Sequence, residues 1–155
     1  MLASIQASGP EDDPMPSLRL VDPDSPALFR IAAHLATGRP GTTGGTFVAT
    51  GLVADSGVLP DLERFAGLRD RPRAPLVVRG AESFAGAAGR IAIAYDGVFR
   101  LAGPGVYSGE GAWRVTGGDH AYNGLRGEGS WTATAVVAGG VLTVDTVYEG
   151  TGALD

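Results

Sequence analysis

From Thr46 to the C-terminus, apolar and polar residues alternate with a period of two, except in the segment 60–73. This period places successive side chains on opposite faces of a β-strand. Clusters of glycine and proline interrupt the alternation at short intervals, as turns between antiparallel strands do. The pattern therefore predicts six strands, which we place at about 46–54, 76–85, 89–101, 108–117, 126–137 and 141–150.

Short strands that follow one another without intervening helices are typical of sandwiches and barrels. Closure into a barrel removes exposed strand edges. The glycines at positions 109, 111, 127 and 129 fall two apart on one face of neighbouring strands, where missing side chains permit tight coiling. We therefore expect an all-β fold, a closed, calycin-like antiparallel β-barrel of about eight strands.

The residues before Thr46 follow a different pattern. Residues 1–17 combine glycines and prolines with acidic residues and are predicted to be a disordered lead. The remainder, 18–155, has the length of one domain. Within it, Ser25 and Pro26 resemble the start of a helix, and apolar residues follow at helical spacing. We expect one short helix, over 26–36, which could cover the barrel mouth as a lid.

Composition excludes several kinds of chemistry. Cysteine and lysine are absent, and the two histidines are His34, on the predicted helix, and His120, in a predicted turn. Disulfides, thiolate catalysis and Schiff-base lysines are therefore excluded, and neither a metal site nor a cofactor is expected. The net charge of −5 opposes binding to nucleic acid. No stretch is apolar enough to span a membrane and no signal peptide is evident, so we expect a cytoplasmic protein.

Strand parity also predicts which side chains point inward. The sequence has aromatic and branched residues on one face of each strand and charged residues or threonines on the other. An apolar interior can be a packed core or a cup for one small molecule, and the sequence leaves both open. The predicted interior residues, which would also contact a bound substrate, are Phe47, Ile91, Ile93, Tyr95, Trp113, Val115, Trp131, Leu142, Val144 and Tyr148.

The strand at 76–85 breaks the polarity rule, because Glu82 shares a face with Val78 and Phe84. An inward carboxylate loses solvation, which raises its pKa unless a positive partner compensates, and such a group suits general acid–base catalysis. The alternatives are a β-bulge that turns Glu82 outward or an arginine partner that makes it structural. We take Glu82, Tyr95 and Tyr148 as candidate catalytic residues, with Phe84 as a further substrate contact.

The segment GEGAWRVTGGDHAYNGLRGEGSWTA resembles the glycine-rich hairpin of allene oxide cyclase-like and dirigent-like β-barrels. The segments GTFVATGLVADSG and AESFAGAAGRIAIAY resemble strands of uncharacterised actinobacterial members, so the likeness extends roughly over 46–152. The resemblance implies an eight-stranded barrel whose cavity binds an apolar or polyunsaturated molecule and folds it for a cofactor-free cyclisation. It also implies a buried glutamate, for which Glu82 is the counterpart by role.

Three functions are compatible with these expectations. The one we prefer is a cofactor-independent cyclase or isomerase of bacterial specialised metabolism that acts on an apolar, polyketide-like substrate. The second is a non-catalytic carrier of apolar small molecules, and the third is a structural or oligomeric domain without a ligand. The sequence does not separate them, because cavity volume depends on packing and strand shear. It also leaves open whether the chain forms a homo-oligomer.

Overall fold

The computed structural model describes residues 27–38, 44–60 and 75–154. Within these ranges the chain is all-β, and its helical structure is limited to a 3-10 turn at His120–Tyr122. The strands are β1 (Ala27–Thr37), β2 (Gly44–Gly51), β3 (Asp55–Val58), β4 (Leu76–Gly86), β5 (Arg90–Gly103), β6 (Val106–Gly118), β7 (Arg126–Ala138) and β8 (Val141–Ala153).

The eight strands form a closed ring in chain order. Each strand pairs antiparallel with the next, and β8 closes the ring by pairing antiparallel with β1. Because direction alternates around the ring, β2, β4, β6 and β8 all run the same way. Strands β4 and β8 therefore lie on opposite sides of the ring and run in the same direction.

The helix predicted over 26–36, and with it the lid, is wrong, because residues 27–37 form strand β1. The segment also alternates with a period of two: Phe29, Ile31 and Leu35 are buried, whereas Leu28 is exposed. Register pairs join β1 to β8 along all of its length and to β2 along most of it. Pairing on both edges outweighs the local helical signal, since tertiary context overrides intrinsic propensity.

The predicted strand 46–54 is divided between β2 and β3. β3 has four residues, and apolar and polar residues do not alternate in it, so the period of two that predicts the other strands is absent here. It joins β4 through two register pairs, Gly57 with Gly86 and Val58 with Ala85. Among the described strands this is the shortest seam of the ring. A side chain at Gly57 could not fit, because its Cβ would lie 2.0 Å from the Ala85 carbonyl oxygen.

The other five predicted strands are confirmed as β4 to β8, with bounds that differ by a few residues. Their alternation also predicted the interior correctly, because the described core lies inside the ring. The predicted disordered lead, 1–17, and most of the segment 60–73 lie outside the described residues.

Candidate functional site

Strand β4 carries a carboxylate into the interior of the ring. Its buried positions are Val78, Glu82 and Phe84, which alternate with more exposed ones. Glu82 is 2 % exposed, and its Oε2 atom has no contact with solvent. The inward orientation follows from strand parity, and no bulge interrupts the pairing of β4 with β5.

Tyr95 lies against the same face of β4. It is the register partner of Gly80, and a Cβ built at Gly80 would lie 2.9 Å from the Tyr95 hydroxyl oxygen. Because Gly80 has no side chain, the Tyr95 phenol can lie against the inner face of β4 at this position. Gly80 precedes Glu82 by two residues. Positions two apart on a strand are separated by about 6.5 Å, so a small substrate could reach the phenol and the carboxylate together.

Tyr148 approaches β4 from the opposite side of the ring. Its ring centroid lies 5.6 Å from that of Phe84, in an edge-to-face arrangement. Phe84 follows Glu82 by two residues on the same face, so Glu82 lies between the positions that the two tyrosines contact. The structure thus gathers all three candidate catalytic residues around one stretch of β4.

Thr146 lies inside the ring at about the same height along the ring axis as Glu82, and we call this height the level of Glu82. Thr146 precedes Tyr148 by two residues just as Glu82 precedes Phe84, and β4 and β8 run in the same direction. Among the described residues, the buried polar or charged ones are Thr37, Glu82 and Thr146. The inward register partners of Thr146 are Ala33 and Ala133, both small. One level of the interior therefore combines polar groups with small side chains beside a layer of aromatic rings.

The indole N–H groups of both tryptophans donate hydrogen bonds to backbone carbonyls. Trp131 donates to the Asp96 carbonyl at 3.0 Å, and Trp113 donates to the carbonyls of Ser130 and Glu149 at 2.9 and 3.2 Å. These bonds satisfy the buried donors within the wall of the ring. The tryptophans therefore contribute apolar surface to the interior and no spare hydrogen-bond donor.

The predicted substrate contacts lie together on the inner face of the ring. Phe47, Phe84, Ile91, Ile93, Trp113, Trp131, Leu142 and Val144 are buried, and Val115 is partly buried against them. The interior also includes residues that the sequence analysis did not name, among them Phe29, Ile31, Leu35, Phe99 and Tyr107. The alternation of Phe29, Ile31 and Leu35 was a usable signal, but the helix assignment concealed it.

A second polar cluster covers one end of the ring. The Asp55 carboxylate accepts hydrogen bonds from the Tyr122 hydroxyl and from the backbone N–H groups of Ser56, Ala87 and Ala88. These bonds lower the pKa of Asp55 to about 2, and the Tyr122 hydroxyl is the largest cause. Burial, followed by the contact with Asp55, raises the pKa of Tyr122. Tyr122 and Leu125 are buried against the core, so this cluster is structural.

His120 lies in the 3-10 turn, with its side chain 81 % exposed and its Nδ1 3.1 Å from Asp119 Oδ1. The structure thus places it at the surface of the turn, away from the interior. Within the described ranges, no three histidine, aspartate or glutamate side chains are grouped as a metal site requires. The same part of the chain contains no helix long and apolar enough to cross a membrane.

Comparisons with known proteins return no matching family model, no matching curated protein and no matching solved structure. The class of the protein therefore follows from its fold and site alone. Over the described ranges it is an all-β protein with eight antiparallel strands in a closed ring, and among those residues the apolar interior holds one buried carboxylate, Glu82, beside the phenols of Tyr95 and Tyr148.

Proposed function

We propose that the protein is a cofactor-independent cyclase or isomerase, and that its ring is a calycin-like barrel that takes an apolar carbonyl compound into its interior. The observation that carries this proposal is the burial of Glu82 between the contacts of Tyr95 and Tyr148. A buried carboxylate destabilises a fold unless its interactions compensate, and such groups concentrate at functional sites. The resemblance to allene oxide cyclase-like barrels supports the same function.

The proposed chemistry needs two kinds of group. The Glu82 carboxylate removes a proton from the carbon next to the substrate carbonyl, and a phenol of Tyr95 or Tyr148 donates a hydrogen bond to the carbonyl oxygen. The enolate carbon either bonds to a second carbonyl carbon of the same molecule, whose C=O π bond breaks and whose oxygen takes the proton from Glu82 as the ring closes, or another carbon of the enolate takes that proton back, which isomerises the compound. Holding the reactive conformer contributes up to about 7–11 kcal/mol in favourable intramolecular reactions.

Entry of a substrate requires side chains to move, because the residues around Glu82 are buried. Beside Glu82 and Thr146 little side-chain volume has to be displaced, since the inward register partners of Thr146 are the small residues Ala33 and Ala133. The short seam between β3 and β4 borders the strand that carries Glu82. We therefore propose that a substrate reaches Glu82 when this seam opens.

Proton abstraction can be tested without knowing the natural substrate. The probe is 2-tetralone, an apolar cyclic ketone, and the measurement is deuterium exchange at its α-carbons in D₂O, followed by proton NMR. Wild-type protein should accelerate the exchange, and Glu82→Gln should slow it by about 10²–10⁴-fold with folding retained. The matched control is Glu128→Gln, the same change at an exposed outward position, which should exchange at the wild-type rate.

A second candidate, a structural ring without a ligand, is favoured by the contact of Phe84 with Tyr148, which occupies the middle of the interior. In that case 2-tetralone would neither exchange faster nor raise the melting temperature. A carrier would give a third result, in which the ketone raises the melting temperature by mass action while exchange stays at the rate of buffer. Full exchange activity in Glu82→Gln would remove Glu82 from the mechanism.

A further inference from the structure

The outer face of the ring carries a histidine–aspartate pair that the proposed function does not use. His34 on β1 and Asp145 on β8 are direct register partners, although 111 residues separate them in sequence. The His34 Nδ1 lies 2.6 Å from Asp145 Oδ1, and both side chains are more than half exposed. The pair therefore lies on the seam where the first and last strands meet, within reach of molecules in solution.

Hydroxyl groups extend the pair into a row across neighbouring strands. Thr46 on β2 is the register partner of His34, and Thr134 on β7 is that of Asp145. Paired residues on one face of a sheet have Cβ atoms about 4.5–5.5 Å apart. The row Thr46, His34, Asp145 and Thr134 lies in one depression of the outer surface.

An apolar row lies beside the polar one in the same depression. Val48, Ala32 and Val147 are register partners on β2, β1 and β8, each two residues from a member of the polar row. Val48 is 53 % exposed. The apolar row therefore lies directly beside the His34 imidazole in this depression.

The geometry of the pair determines what the imidazole can do. An ionised carboxylate only accepts hydrogen bonds, so Asp145 holds the His34 ring in the tautomer that carries its proton on Nδ1. The lone pair is then on Nε2, the ring nitrogen that does not contact Asp145. A carboxylate that fixes the tautomer and orientation of a histidine in this way is the arrangement used for general-base catalysis.

We propose that this depression is a second site, at which His34 acts as a general base in the hydrolysis of short-chain carboxylic esters. Its apolar row binds the acyl chain, and the hydroxyls of Thr46 and Thr134 are placed to hydrogen-bond the ester group. Asp145 is a positioning residue, since it acts through His34. The site is separate from the ring interior and independent of Glu82.

The reaction balances with water as the only co-reactant. Nε2 of His34 removes a proton from a water molecule as the water oxygen bonds to the ester carbonyl carbon. The tetrahedral intermediate then breaks its bond to the alcohol oxygen, which takes the proton from Nε2. The products are a carboxylic acid and an alcohol, and the imidazole returns to its neutral form.

The chain supplies its own control for this proposal, because its only other histidine, His120, also contacts an aspartate but lies exposed in a turn. Hydrolysis of p-nitrophenyl acetate and p-nitrophenyl butyrate is measured with the full chain. His34→Gln should lose the catalysed rate, about 10²-fold or more for removal of a general base. His120→Gln and Glu82→Gln should keep it, since neither residue belongs to the outer site.

Two further variants test the parts of the site. Asp145→Asn should lower kcat while KM changes little, because Asp145 contacts His34 and not the acyl chain. Val48→Asp should raise KM for the butyrate ester more than for the acetate ester, because it places a charge in the apolar row that binds the acyl chain. Equal losses in His34→Gln and His120→Gln would show the background reactivity of any exposed imidazole, and would overturn the proposal. A rate that no histidine variant changes would overturn it as well.

Discussion

The rings of Phe84 and Tyr148 meet edge to face across the interior, 5.6 Å apart, although their strands lie on opposite sides of the ring. Phe84 also contacts Phe47, at 5.3 Å, and Tyr148 contacts Trp113, at 6.3 Å. Aromatic side chains from β2, β4, β6 and β8 thus form one connected layer. This layer joins opposite walls of the ring and delimits the level on which Glu82 lies.

Phe84→Ala should destabilise the protein by about 3–5 kcal/mol, because it removes a fully buried ring and leaves a cavity at the centre of the aromatic layer. Urea denaturation followed by circular dichroism measures the change. Val77→Ala, on the same strand but 78 % exposed, is the matched control and should change stability by less than about 0.5 kcal/mol. Equal effects of the two substitutions would show that the layer does not stabilise the ring.

Gly111→Ala should also destabilise the protein, because the Trp131 indole packs directly against the Gly111 backbone and leaves no space for a side chain. A Cβ there would lie 1.9 Å from the Asp96 carbonyl oxygen and 2.6 Å from Trp131 Nε1, the two atoms that form the indole hydrogen bond. Overpacking of this kind costs about 1–3 kcal/mol. Loss of stability should come with altered tryptophan fluorescence.

The control for this substitution is Gly103→Ala, on the neighbouring strand β5. A Cβ at Gly103 meets nothing within 4 Å, so the alanine should be tolerated or slightly stabilising. If Gly111→Ala were as stable as Gly103→Ala, the packing of Trp131 would not require a glycine at position 111.

Some features of this fold follow from local sequence, and others exist only once the ring closes. Glu82 could be placed inside because β4 alternates clearly over its whole length, and alternation is a local property. Strand β1 contains four alanines, which fit either face, so its sequence matches both the helical period and the strand period. Its identity therefore depended on pairing with β8. The contact of His34 with Asp145 was inaccessible for the same reason, since it exists only once the ring closes.

The seam between β3 and β4 should be the first part of the ring to open. β3 has four residues and pairs with β4 at two positions, whereas β7 has thirteen residues and is paired along both edges. Local opening is easiest where few backbone hydrogen bonds must break. Hydrogen exchange measured by mass spectrometry should show faster exchange in 55–58 than in β7. Slower exchange in β3 would contradict the proposed route to Glu82.

Asp55 should make stability depend on pH in the acidic range. Its pKa is about 2 in the folded protein against an ordinary value of 3.8, because the folded state donates hydrogen bonds to the ionised carboxylate. The stabilisation is therefore fully present above pH 4 or so and is lost as the pH falls toward about 2. In Asp55→Asn the group cannot titrate, so urea denaturation between pH 2 and pH 6 should show a shallower loss of stability than in wild type. Tyr122→Phe removes the donor with the largest effect on this pKa and should lie between the two. Parallel curves for wild type and Asp55→Asn would show that the cluster over the end of the ring does not depend on the charge of Asp55.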